Sequence, residues 1–260
     1  MTRETFADES TEYRKVRDEL LDAEIALRRQ MESVAVQRRA LPPGPPIAQD
    51  YVFDGLGEDG KPTKLPLSAL FRKGTDTLLL YCYMFPRFKD DPRAAAESGE
   101  IAKLPKAEQP CPSCTGLLDQ LNGAAPHYEA GGCNFAVVGK TALPNLLAVA
   151  RDRDWQHLRM LSSGDNGFKR AYHAEAEDGQ QEPMTLVFKR DGDGTIRLFW
   201  ASELVHAESD PDQDHRAAGT IEPFWNMFDL GPGGRPDGFN EQLQYHCCGG
   251  TPANTSDEKA

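Results

Sequence analysis

Positive charge is scarce in this chain. Lys and Arg number 29 against 41 Asp and Glu, a formal charge of −12 over 260 residues, so an unassisted electrostatic grip on a nucleic-acid backbone or an anionic membrane surface is not expected. Long apolar runs are missing too: the longest covers residues 77–85, far short of the roughly 20 residues of a membrane-spanning helix. The first residues, Met1-Thr2-Arg3-Glu4-Thr5-Phe6-Ala7-Asp8, carry charges where a secretory signal has an apolar stretch. The expectation is a soluble, cytoplasmic protein with neither nucleic acid nor membrane as partner. Cysteine is sparse, six residues in all, too few for a disulfide-stapled secreted scaffold. In a reducing compartment a closely spaced pair points instead to metal binding or redox chemistry.

What is present reads as one large domain with attachments. Over residues 10–39, Val16, Leu20, Ala23, Leu27, Met31 and Val34 recur at three- and four-residue steps, which predicts one long amphipathic helix. Asp8, Glu9 and Glu12 sit at its start and Arg38 and Arg39 at its end, as the helix dipole favours, and Pro42-Pro43-Gly44-Pro45-Pro46 stops it. Its expected role is scaffold, packing on the following domain or pairing two chains as a homodimer. Residues 50–54 then read as a strand, 65–71 as its partner beyond a glycine turn, running into a short helical turn, and 77–85 as a strand covered on both faces. Residues 86–110 are polar and proline-rich and read as a surface loop or lid. Residues 115–130 have helical spacing, 134–139 form a buried strand and 143–154 a second helix. This alternation argues for parallel strands joined by crossover helices. Residues 183–190 and 195–200 flank Asp191-Gly192-Asp193-Gly194, a hairpin signal that closes the sheet with an antiparallel edge. A last helix is predicted over 221–230. The expected organisation is an N-terminal arm and proline linker (1–46), an α/β domain (47–230) and a Gly- and Pro-rich, loosely ordered tail (231–260).

The chemistry concentrates in Cys111-Pro112-Ser113-Cys114. A three-residue step at a helix start puts both sulfurs on one face, close enough to share a disulfide. Pro112 suits the first helical position, and the unpaired N–H groups of that turn favour a thiolate on Cys111. Cys111 is then the nucleophile and Cys114 the resolving thiol of a dithiol-disulfide cycle, with a protein or small-molecule disulfide or thiol as substrate and no cofactor or metal. Rival readings are a structural zinc site, which needs two further ligands, and a non-enzymatic module with an inert pair. The remaining cysteines do not supply those ligands by pattern: Cys247 and Cys248 are adjacent, Cys133 stands alone, and Cys82 lies in an apolar strand. Cys247 and Cys248 read as an incidental tail pair or a redox relay. His206, Glu208, Asp210 and His215 read as a solvated acidic loop ahead of a metal cluster.

The order strand, cysteine pair at a helix start, strand, helix, hairpin resembles the thioredoxin-like fold. The lead-in Tyr51-Val52-Phe53-Asp54 through Leu65-Pro66-Leu67-Ser68-Ala69-Leu70-Phe71 is similar to the N-terminal extension of the peroxiredoxin-like branch. More closely, the chain resembles a bacterial thioredoxin-like family of unknown function described as predicted dithiol-disulfide oxidoreductases. That likeness rests on Arg38-Arg39-Ala40-Leu41-Pro42, Asp50-Tyr51-Val52-Phe53-Asp54-Gly55, Tyr83-Met84-Phe85, the cysteine motif, Leu161-Ser162-Ser163 with Asn166-Gly167-Phe168, and Phe228-Asp229-Leu230-Gly231-Pro232. The resemblance implies a central mixed sheet flanked by helices and disulfide exchange at Cys111 and Cys114. It also implies a cis-proline packed on the pair, for which Pro183, ahead of an apolar strand, is the position; the alternative is a trans strand starter. The chain departs from the pattern in its 86–110 insertion and in having no buried acid within Leu79-Leu80-Tyr81-Cys82, which leaves proton handling open. Leu104 and Glu108 stand where a peroxiredoxin has proline and threonine ahead of its cysteine, which weakens a peroxidase reading.

Overall fold

The computed structural model describes residues 3–211, 223, 230 and 241–244, and the chain divides into two units, Met1–Gly44 and Pro45–Ala260. In the first, Thr11–Arg39 form helix α1. Ser10 caps it, its Oγ accepting from the Tyr13 N–H at 3.1 Å, which satisfies one of the donors left over at a helix start. Arg14 reaches Asp18 at 3.0 Å one turn on, and Arg3 reaches Asp22 at 2.6 Å. The acidic start and the basic last turn of Arg38 and Arg39 follow the dipole as expected.

The second unit is built on a seven-stranded mixed sheet in the order β2-β1-β5-β4-β3-β6-β7. Its strands are β1 (Val52–Leu56), β2 (Pro62–Pro66), β3 (Thr77–Cys82), β4 (Cys133–Gly139), β5 (Met160–Ser162), β6 (Thr185–Arg190) and β7 (Ile196–Ala201). The strands β3, β4 and β5 are parallel, joined by helices α2 (Pro112–Ala130) and α3 (Leu143–Asp152), while β6 and β7 run antiparallel. This is the expected α/β, thioredoxin-like arrangement. Alternation along β3 serves two cores. Leu78, Leu80 and Cys82 pack with Phe53, Val138 and Phe168 on one face. Tyr81, with Tyr83 beyond the strand end, packs with Val137, Leu117, Leu118 and Leu146 under α2 and α3 on the other. A strand covered on both faces needs apolar residues at every step, which is why this one reads as an unbroken run.

Three sequence expectations are amended. Residues 86–110 are the surface loop expected, most of them exposed, but the loop is anchored by buried polar side chains, which its composition does not announce. Two short 3-10 turns, Ile101–Lys103 and Lys106–Glu108, cross it, and Arg87, Asp91, Gln109 and Ile101 are buried. Buried polar side chains do here what a ladder does elsewhere, meeting the backbone groups of a segment without regular structure. Arg87 donates to the carbonyls of Pro110 and Ala94 at 3.1 and 3.0 Å, and the Gln109 amide bridges the Ala96 N–H and the Leu104 carbonyl at 2.8 and 3.0 Å. The tail is not loose throughout: Glu241 and Leu243 are buried, and Arg153 donates to the Leu243 carbonyl at 2.6 Å. The third correction is small and local. The apolar run 77–85 is strand only to Cys82, and β5 and the one-turn helix α4 (Phe168–Ala171) occupy the stretch around Leu161-Ser162-Ser163 and Asn166-Gly167-Phe168. The predicted helix over 221–230 lies outside the described residues apart from Pro223 and Leu230.

Candidate active site

Cys111 is the N-cap of α2, with Pro112 in the first turn. Its backbone is fixed from both sides. The N–H donates to the Met84 carbonyl at 2.9 Å, and its carbonyl accepts from the N–H and the Oγ1 of Thr115 at 3.0 and 2.8 Å. Thr115 Oγ1 in turn lies 2.7 Å from the hydroxyl of Tyr83, just past the end of β3. The strand end and the helix start are thereby stitched together, and the cysteines sit at the carboxyl edge of the parallel strands, where open α/β sheets build their sites.

Both thiols are free and buried, each 3% exposed. The Cys114 S–H donates to the sulfur of Cys111, and this bond is the largest influence pulling the Cys111 thiol down to about 6. Burial opposes it, and the charge of Arg93, the Cys114 backbone N–H and the Arg93 hydrogen bond assist it. Cys114 behaves oppositely: burial, and the thiolate beside it, hold its proton well above the ordinary thiol range. Two groups work against that rise, a hydrogen bond from the Tyr81 side chain and one from the Met84 backbone N–H. The pair is therefore asymmetric, an acidic outer thiol backed by a protonated inner one, which is the division a nucleophile and a resolving thiol require.

Arg93 and Asp91 are the residues that sequence reasoning missed. The Arg93 guanidinium donates to the Cys111 sulfur at 3.4 Å and to Ser113 Oγ at 2.6 Å. It is aimed by Asp91, which it meets at 2.7 Å through Nη2 and at 2.9 Å through Nε. Burial raises the Asp91 carboxyl, but the bonds from Arg93 outweigh it and hold the group below the usual carboxylate range. On the other side, Ser113 donates to Glu241 at 3.0 Å, so the described part of the tail touches the motif itself. A readable signal existed: an Asp-x-Arg step in a polar loop just ahead of a cysteine motif supplies the cation that lowers a thiol.

The family bacterial protein of unknown function (DUF899) matches residues 2–248. The chain belongs to that family. A comparison with curated proteins gives no match. Among solved structures it is similar to reduced Prx3 in complex with H2O2 from Vibrio vulnificus, at 15% identity and a TM-score of 0.38 over 67% of this chain and 91% of that one. It is also similar to PrxQ from Xylella fastidiosa, at 12% and 0.43 over 72% and 97%. A third likeness is to the peroxidoxin BcpB from Mycobacterium tuberculosis, at 14% and 0.40 over 70% and 95%.

The remaining expected positions in this family member are placed as follows. Pro183 is half-buried ahead of β6, two residues before Thr185, which is in register with Tyr81. Its peptide bond is trans, and the one cis bond among the described residues is Phe85–Pro86, so the cis-proline that the resemblance implied does not fall at Pro183. Among the described residues no three His, Cys, Asp or Glu side chains converge as a metal site, so the zinc reading finds no second half of its ligand shell there. That holds for His206, Glu208 and Asp210 as well; His215, Cys247 and Cys248 lie outside the described residues. Cys82 is fully buried, its thiol pushed up to about 11 by burial, which makes it core. Among the described residues no helix is long and apolar enough to cross a membrane.

Proposed function

We propose that this protein is a dithiol-disulfide oxidoreductase acting through Cys111 and Cys114. The carrying observation is the asymmetry of the pair: a Cys111 thiol pulled down to about 6 beneath Arg93, with the protonated Cys114 hydrogen-bonded behind it. At neutral pH Cys111 is mostly thiolate and attacks one sulfur of a substrate disulfide; that S–S bond breaks, a Cys111 mixed disulfide forms, and one substrate thiolate leaves. Cys114 then attacks the Cys111 sulfur, its proton ending on the second departing thiolate. The net change is two electrons from the dithiol to the substrate, leaving a Cys111–Cys114 disulfide that a thiol or dithiol reductant reverses. Pro183, which has no N–H to donate, bounds the site at the start of β6. The reaction needs no cofactor, and its partner is a protein or small-molecule disulfide or thiol.

The test is trapping. In Cys114→Ser the second step is blocked, so a stable mixed disulfide on Cys111 is expected with a model disulfide such as oxidised glutathione, resolved by mass spectrometry. The intact pair should titrate as one reversible two-electron couple against a dithiol buffer. If Cys111 forms no adduct while other cysteines do, the assignment is wrong.

A further inference from the structure

A dithiol that attacks a foreign disulfide must let one sulfur of that molecule come against its own, yet Cys111 and Cys114 are each 3% exposed. The site is closed. Part of its cover is residues 241–244, which belong to no strand or helix. Glu241 and Leu243 are buried, and Gln242 and Gln244 are half-buried. The Glu241 carboxylate accepts from the Ser113 hydroxyl at 3.0 Å, and its Cγ lies 3.9 Å from where a Cβ on Gly116 would stand. Leu243 shares with Pro110, Ile101 and Val149 the wall of a cavity of about 50 Å³, and its carbonyl accepts from Arg153 at 2.6 Å. The Gln244 amide accepts from the Glu97 N–H at 2.8 Å and donates to Ser98. The segment therefore runs from Ser113 past Pro110 to Ser98, flanking the nucleophile on both sides along the chain.

We propose that residues 241–244 are a strap that closes the dithiol site and lifts to admit a disulfide. The inference rests on the disulfide-exchange reading above and assigns the step that precedes the chemistry. Two elements cover the cysteines, and only one can move without disturbing the reaction. Shifting the 86–110 loop would carry off Arg93, which donates to the Cys111 sulfur at 3.4 Å. Lifting the strap leaves that guanidinium where Asp91 holds it. The strap is also lightly held. Its bonds run through side chains, and a segment without regular structure opens at a fraction of the free energy that unfolds a sheet. Glu241 brings a carboxylate into a buried position where, among the described residues, a hydroxyl and no cation meets it. Burying a charge without a counter-ion is unfavourable, so part of what closure gains is offset by desolvation.

The test separates access from acidity in one profile. Alkylation of Cys111 by iodoacetamide is followed against pH in the reduced protein: the midpoint reports the thiolate, and the plateau above it reports access. Glu241→Ala with Gln244→Ala removes the side-chain holds at both ends of the strap. The plateau should rise about tenfold, the effect expected from losing a few net hydrogen bonds. The rate of exchange with oxidised glutathione at the plateau pH should rise with it, because both reagents wait on the same opening. Should the double variant fail to fold, Ser98→Ala removes one hold from the exposed body side and should raise the plateau about threefold. A plateau that is unmoved or lowered in the folded variant overturns the proposal, and so does faster alkylation without faster exchange. A reversible couple with an unmoved plateau sinks the strap alone. Absence of any reversible couple in the unaltered protein sinks the functional reading instead.

Discussion

The acidity of Cys111 depends on an arginine 18 residues away, so Arg93→Met is the sharpest perturbation of the site. Two unit charges 3.4 Å apart interact by about 5 kcal/mol at an effective dielectric near 20. The net figure is smaller. Asp91 sits on the same guanidinium at 2.7 Å and cancels part of the field, and Cys114 supplies the larger share of the lowering. Taking somewhat under half leaves about 2 kcal/mol, or about 1.5 pH units. The Cys111 midpoint should therefore rise from about 6 to about 7.5. The assay is the pH dependence of alkylation by iodoacetamide on the reduced protein, read by mass spectrometry on the peptide holding Cys111 and Cys114. At pH 6.5 the reactive fraction is expected to fall from about three quarters to about one tenth. A midpoint unchanged in Arg93→Met would show that the helix end and the Cys114 bond suffice, and the guanidinium would lose its assigned part.

Further outcomes follow from the same geometry. Asp91→Asn should move the Cys111 midpoint by less than Arg93→Met does, because losing the guanidinium's aim and losing the carboxylate charge that offsets it act in opposite directions; an equal or larger rise would contradict this. A folded-state value near 6 against an unfolded thiol near 8.5 means the unfolded chain binds more protons between those two pH values. The stabilisation due to the thiolate is thus complete above about pH 8.5 and lost as pH falls through about 6, with an upper size of about 3 kcal/mol. Denaturant unfolding of the reduced protein and of Cys111→Ser should diverge with rising pH over that window, and parallel curves would refute it. Leu118→Ala, at a fully buried position of α2, should cost about 2–5 kcal/mol, measured the same way. Pairing of two chains through α1 predicts a dimer by light scattering that Leu20→Glu with Leu27→Glu converts to monomer; a monomer in the unaltered protein rejects it.

The parts of the site legible in the sequence are those set by neighbours along the chain. Cys111, Pro112 and Cys114 announce a helix start because capping and N1 preference act within four residues, and β3 and the β6–β7 hairpin are legible because an apolar run and an Asp-Gly turn are local signals. What escaped is what the topology imports. Arg93 and Asp91 come from an irregular loop whose polar composition looks like surface until Arg87 and Gln109 are seen satisfying its backbone from inside. Glu241 comes from a tail whose glycine and proline content gives no hint of burial. The cis bond is at Phe85–Pro86 and not at Pro183; nothing in the composition around either proline distinguishes them.

The segment that carries Arg93 has no strand or long helix to hold it; short turns, a backbone bond from the Arg87 N–H to the Gln109 carbonyl at 2.8 Å and side chains meeting its backbone groups do so. Such a segment can melt locally at a fraction of the free energy needed to unfold the sheet beneath it. When it does, the guanidinium departs and the outer sulfur reverts toward an ordinary, largely protonated thiol. Reactivity would then fade on warming or in mild denaturant well before the main unfolding transition, so that this chain's nucleophile works as a gauge of how intact its own loop is.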